Sequence, residues 1–200
     1  RKGEVFAILG GSGCGKSTLA LSLMRLIRGG DTVEGSIHLD GTSLLDMAKK
    51  DFNRVRWNKI SIISQAAMGA LNPVFTIGYQ ISEAIIDHWK ISKADAWRRA
   101  RELLKQVDIE PSRVSSYPHE LSGGMRQRAM IAMALALDPS VIIADEPTTA
   151  LDVVTQAQVL KLMRDLQKEL GISIIFISHD LSILAQACDK TLIMYAGKAV

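Results

Sequence analysis

The segment Gly10-Gly11-Ser12-Gly13-Cys14-Gly15-Lys16-Ser17 has the residue types and spacing of a phosphate cradle. It fits the pattern G-x-x-x-x-G-K-[ST], whose glycines let backbone N–H groups wrap around phosphate oxygens. An apolar run ends where it begins, and a helical pattern starts where it ends. A helix N-terminus near Lys16 therefore adds partial positive charge at the same point. Lys16 is placed to reach the β- and γ-phosphates of a nucleotide, the Ser17 hydroxyl to bind Mg²⁺, and Thr18 to donate one more phosphate hydrogen bond. Cys14 reads as a small tolerated residue of the loop with no catalytic role, although alkylation there is expected to block nucleotide binding.

Such a loop needs a carboxylate to help hold magnesium. The run Val141-Ile142-Ile143-Ala144-Asp145-Glu146 supplies two acids at the end of an apolar strand, where a parallel sheet opens to ligands. Asp145 is expected to support Mg²⁺ directly or through water. Glu146 is expected to polarise the attacking water as a general base. His179 follows another apolar run, and a neutral imidazole there is placed to hydrogen-bond a γ-phosphate and the attacking water.

The elements that must position these groups are legible as periodicity. Strands are expected over residues 5–9, 36–39, 60–64, 141–144, 172–177 and 191–195, with the chain ending in a further strand. Helices are expected over 17–27, with Leu19, Leu23, Leu26 and Ile27 on one face, and over 154–170 and 181–188. Between residues 76 and 136 no strand pattern appears; 77–89, 93–107 and 124–137 read as helices. The expected fold is α/β, a mainly parallel sheet flanked by helices, with a helical subdomain inserted into it.

Of 200 residues, 48% are hydrophobic, and the formal net charge is +3. That composition supports a real core. The charges are interspersed, so nucleic acid is not an expected partner. The two cysteines, Cys14 and Cys188, make neither a Cys-x-x-Cys pair nor a disulfide framework, and no apolar run approaches membrane-spanning length. Trp89 and Trp97 are expected to pack the helical subdomain, Met130 and Met133 a helix core, and Arg98, Arg99, Arg101 and Lys105 a solvated helix face.

With these elements in place, Leu121-Ser122-Gly123-Gly124-Met125-Arg126-Gln127-Arg128 resembles the signature sequence of the ABC-transporter ATPases. The order along the chain is also similar: phosphate loop, Gln65, signature, the Asp145-Glu146 strand, Ala150-Leu151-Asp152, then His179. The resemblance implies a P-loop NTPase of the ABC type. Residues 1–65 and 137–200 would form a RecA-like nucleotide-binding core, apparently truncated at both ends, and residues 66–136 the Gln65 loop and the helical subdomain. It implies that Leu121, Ser122, Gly123, Gly124 and Met125 bind the ATP of a partner subunit; Ser122 and Gly124 open a helix, which suits a phosphate. It further implies that Asp152 crosses the dimer interface and that Gln65 senses the γ-phosphate and helps to hold Mg²⁺.

The stretches from Pro118 to Arg128, from Ala144 to Asp152 and Leu71-Asn72-Pro73-Val74 look like those of oligopeptide, dipeptide and nickel importer ATPases. Met125 stands where glutamine is commoner, as in one of the two ATPase subunit types of those importers. The partners implied are a second ATPase subunit, either a different chain or another copy, two transmembrane permeases and an extracytoplasmic solute-binding protein. The implied place is peripheral, on the cytoplasmic face of the inner membrane. Ala66-Ala67 departs from relatives that carry an acidic residue and proline after the glutamine. A non-transport ABC ATPase acting on DNA or ribosomes is the rival reading; the stretch between Lys16 and Asp145 shows no sustained heptads of a coiled coil, and the importer-like motifs put the transporter ahead.

Overall fold

The computed structural model describes residues 2–27, 34–64, 67–180 and 188–200. Its central sheet contains β1 (Val5–Gly10), β4 (Ile60–Ile63), β5 (Val141–Asp145), β6 (Ser173–Ser178), β7 (Lys190–Tyr195) and β8 (Lys198–Ala199). They run in the order β4-β5-β6-β1-β7-β8. All neighbours are parallel except β8, which turns back antiparallel on β7. The strands are apolar on both sides because both faces are covered. Val5, Ala7, Leu9, Ile142, Ala144, Ile174 and Phe176 point into one apolar cluster. Their alternates Ile8, Ile143 and Ile177 point into another, the period of two that strand geometry dictates.

The first face is covered by α4 (Ile77–Trp89), α5 (Lys93–Gln106), α6 (Gly123–Ala134) and α7 (Val153–Leu170). Buried Ile77, Ile81, Leu103 and Ile131 from these helices belong to the same cluster as the strands. No strand occurs among the described residues of 67–136. Side chains cap each of these helices. Thr76 accepts from Tyr79 N, Ser92 from Asp95 N, Ser122 from Met125 N and Asp152 from Thr155 N, each worth about 1 kcal/mol. The opposite face carries α1 (Lys16–Leu23) and α2 (Lys49–Val55). A short helix, α3 (Ala67–Ala70), follows β4.

Several expectations need correction. Helix α1 stops at Leu23, not at residue 27, and Leu26 is exposed. Arg25 takes a left-handed φ of 48°, while Leu26 N donates to Leu21 O and Arg25 N to Ser22 O, the pattern of a Schellman end. Arg25 then donates to Met47 O at 2.7 Å and lies over the Phe52 ring, contacts that no helical period encodes. The strand expected over 36–39 is β2 (His38–Leu39), which pairs antiparallel with β3 (Thr42–Ser43) in a separate two-stranded sheet. Helix α2 was not foreseen. Trp97 packs on the core, but Trp89 is exposed. Arg99 is not a solvated cation: it pairs with Asp138 and ties α5 to the turn before β5. The helix expected over 181–188 falls almost wholly outside the described residues.

Candidate functional site

Sheet register assembles the site. Gly10 is aligned with Met194, Leu9 with Ser178, and Asp145 with Ile177. The carboxyl ends of β1, β5 and β6 therefore lie at one edge, each followed by groups singled out from the sequence. This is the edge at which open α/β sheets bind ligands. Gln65, which comes after β4 in the sequence, lies outside the described residues.

The phosphate loop is held from below by the β7–β8 turn. Gly197 N donates to Cys14 O at 3.0 Å. A Cβ on Gly10 would stand 2.4 Å from Met194 O and 2.5 Å from Cys14 Sγ, so only glycine fits there. Gly15 caps α1 with φ 103°, a left-handed backbone that glycine adopts without a Cβ clash. Lys16 is buried, and its Nζ donates to Gly10 O at 2.8 Å and Gly11 O at 2.9 Å. The ammonium thus rests inside the loop on the carbonyls that border the cradle. Ser17 and Thr18 are exposed at its mouth.

Asp145 is buried beside the loop, close to Ser17 and Lys16. Burial pushes its carboxyl above the ordinary range, and the neighbouring Glu146 charge adds to this; Ser17 and the Lys16 charge work against it. Its Oδ1 is buried without a hydrogen-bond partner. An orphaned buried carboxylate oxygen next to a hydroxyl fits a hard divalent cation, which takes oxygen donors. Among the described residues there is no cluster of three or more His, Cys, Asp or Glu side chains that could cage a metal. The donor set fits magnesium completed by substrate phosphates and water rather than an all-protein site.

Glu146 follows β5 with a left-handed φ of 48° and donates its amide to Ile177 O at 2.9 Å. Nδ1 of His179 lies 2.8 Å from Oε1, and Thr149 Oγ1 donates to Oε2 at 3.0 Å. Burial alone would raise the Glu146 carboxyl. Against this act the hydrogen bonds from His179 and Thr149 and the nearby Lys16 charge, and the group is held below the usual carboxylate range. An ionised carboxylate only accepts, so Nδ1 carries the proton. This modifies the expectation for His179. While Nδ1 donates to Glu146, a neutral ring offers Nε2 as an acceptor, so it can serve a water but cannot donate to a phosphate.

The signature residues form a second group. Ser122 caps α6, with its Oγ accepting from Met125 N at 3.2 Å. Asp152 caps α7 and accepts from Thr155 N at 2.9 Å and Thr155 Oγ1 at 2.7 Å. These bonds hold the Asp152 carboxyl below its usual range. Ser122, Gly124, Met125, Asp152 and Thr155 line an open concavity of about 430 Å³, and no residue of the phosphate loop lines it. Leu121 is buried behind it. The structure thus brings Asp145, Glu146 and His179 to the phosphate loop, and Asp152 to the signature, as two separate groups.

The family model described as "ABC transporter" matches residues 1–149. This chain belongs to the ABC transporter family. It is 48% identical to the oligopeptide transport ATP-binding protein AppD of Bacillus subtilis, over 100% of this chain and 62% of that protein. It is also 48% identical to the dipeptide transport ATP-binding protein DppD of Lactococcus lactis subsp. cremoris, over 100% and 58%. The chain spans about three-fifths of the length of the curated relatives it matches. Among solved structures, a dimeric post-hydrolysis state of the ATP-binding cassette MJ0796 bound to ADP and Pi superposes with a TM-score of 0.85. It is 30% identical, with 100% of this chain and 84% of that one covered. Thus the chain has the α/β P-loop fold of ABC cassettes.

Sequence reasoning missed Thr149, which touches the Glu146 carboxylate, and the left-handed backbone of Glu146 itself. Pro147 after the acid pair was the one available signal, since it marks a turn.

Proposed function

We propose that this chain is the ATP-binding and hydrolysing part of an importer subunit that powers uptake of peptides or a similar small solute. The observation that carries this reading is the meeting of Lys16, Asp145, Glu146 and His179 at one sheet edge, in a chain nearly half identical to peptide-transport ATP-binding proteins.

In this reading the backbone amides from Gly10 to Ser17 bind the phosphates, with Thr18 donating at the rim. Lys16 leaves the Gly10 and Gly11 carbonyls for the β- and γ-phosphate oxygens. Ser17 and Asp145, with Gln65, would hold Mg²⁺, which when bound neutralises phosphate charge. Glu146 orients a water and takes its proton as the water oxygen attacks the γ-phosphorus. The bond to the bridging oxygen breaks, giving ADP and inorganic phosphate. Release of Glu146 by His179 removes a contact that keeps the carboxylate weakly basic, and frees Nδ1–H to donate to the γ-phosphate.

Residues 121–125 and Asp152 form a cradle apart from the chain's own phosphate loop. We assign it to the nucleotide of a second ATPase subunit, a different chain or another copy. Binding of ATP then closes the dimer, and hydrolysis reopens it. The helical arm of residues 66–136 would pass this motion to two permeases fed by a solute-binding protein, with the subunit peripheral at the cytoplasmic face of the inner membrane. Exposed Val74, Phe75 and Tyr79 at the start of α4 offer an apolar surface for that contact. No helix among the described residues is long and apolar enough to cross a membrane.

The test is purification of the full-length protein with its associated subunits, followed by ATPase assay with and without solute-loaded binding protein. Recovery of permeases and a solute-stimulated ATPase supports the reading. Recovery of ribosomes or DNA-bound proteins without a permease overturns it.

A further inference from the structure

Thr149 follows the acid pair on a turn that the structure fastens at several points. Thr149 N donates to Glu146 O at 3.2 Å, and Pro147 at the second position supplies the φ that such a turn needs. Thr148 is buried, and its carbonyl accepts from Leu151 N at 3.3 Å and from the Gln156 side chain of α7 at 3.1 Å. The turn is therefore part of the scaffold, and it delivers Thr149 Oγ1 to within 3.0 Å of Glu146 Oε2. The other oxygen, Oε1, meets His179 from the β6 side.

We propose that Thr149 is a positioning residue for Glu146, fixing the carboxylate plane through Oε2 so that Oε1 is the oxygen presented to the attacking water. The inference rests on the reading of Glu146 as general base. The terminal torsion of a glutamate is broad, so the backbone alone does not orient its oxygens. The His179 side chain is 63% exposed, against 14% for Glu146, and it must leave Oε1 for water to approach. The Thr149 bond comes from a turn tied to both β5 and α7, so it persists when His179 departs. Thr149 is itself exposed, so its replacement removes a hydroxyl without opening a cavity.

The experiment compares Thr149→Val, Thr149→Ser and Glu146→Gln in the full-length protein with its partner subunits. It measures kcat, KM for ATP, and the affinity of a fluorescent ATP analogue. Thr149→Val is expected to lower kcat by about ten- to a hundredfold, the cost of misplacing a reacting group. KM and analogue affinity should stay within about twofold, and Thr149→Ser should recover most of the rate. The proposal is overturned if Thr149→Val turns over like the wild type, if serine fails to rescue, or if analogue affinity falls in step with kcat. Glu146→Gln separates the two ideas. Normal hydrolysis by that variant removes the base assignment and this inference with it, whereas an inactive Glu146→Gln beside a fully active Thr149→Val removes the inference alone.

Discussion

Nδ1 of His179 and Oε1 of Glu146 lie 2.8 Å apart and join the ends of two neighbouring strands, β6 and β5. The contact engages the acid proposed as base and the imidazole proposed to donate to the γ-phosphate with each other. Glu146→Gln keeps the size of the side chain but cannot take a proton. Hydrolysis is expected to fall by at least about a hundredfold, while equilibrium ATP binding persists because no phosphate contact is removed. Filter binding and phosphate release on the same preparation check both halves.

Asp145 sets stability against function. Its folded-state carboxyl is raised by burial, so ionising it costs the folded state free energy. The sign is that of a raised acid: stability falls as pH rises from the unfolded carboxylate value, about 3.9, through the higher folded value. Asp145→Asn removes this cost. The nucleotide-free variant is expected to melt at a higher temperature than the wild type at pH 7, with the difference shrinking near pH 4. The same variant should lose the Mg²⁺ dependence of ATP affinity. Thermal scans with and without Mg²⁺ and ATP distinguish the two effects.

Gly124 and Thr155 bring the openings of α6 and α7 into contact. A Cβ on Gly124 would stand 2.7 Å from Thr155 Cγ2, and Thr155 is fixed by two bonds to Asp152. Gly124→Ala is therefore expected to destabilise by about 1–3 kcal/mol through overpacking, and to spread the signature concavity. Thr155→Ser deletes Cγ2 but keeps the hydroxyl, so the double variant should recover most of the loss. Urea denaturation of the two single variants and the double variant measures the coupling.

Much of this was legible because the signals are periodic or are motifs with a fixed local geometry. Helix α4 has the residues expected for it, Ile77–Trp89, because Thr76 caps its start and its apolar face repeats evenly. Buried strands such as β5 read directly as apolar runs. What escaped depends on contacts remote in sequence. The end of α1 is set by Arg25 reaching Met47, and the ion pair of Arg99 with Asp138 spans two elements. The hydroxyl of Thr149 matters only once the turn at Pro147 places it on Glu146. Composition and period describe which face a residue occupies, not which distant group it meets.

Asp189 provides the last test, at the other end of the sheet. Its Oδ2 accepts from Val5 N at 2.7 Å, and its amide donates to Val5 O at 2.8 Å, so β1 and the start of β7 are clasped at one residue. Arg164 of α7 pairs with the same carboxylate at 3.1 Å. The Val5 amide first, and then Arg164, hold the Asp189 carboxyl below its usual range. A depressed acid contributes stability that is fully present above the unfolded value of about 3.9 and is lost as pH falls through the folded value. Asp189→Ala is expected to cost about 1 kcal/mol at pH 7, a charge-assisted hydrogen bond discounted for partial exposure. Asp189→Asn keeps an acceptor for Val5 N and loses only the charge, so it should cost less. The gap between wild type and Asp189→Ala should hold steady above pH 5 and close below pH 4. A gap independent of pH would show instead that the clasp works through backbone packing, with the carboxylate charge contributing nothing.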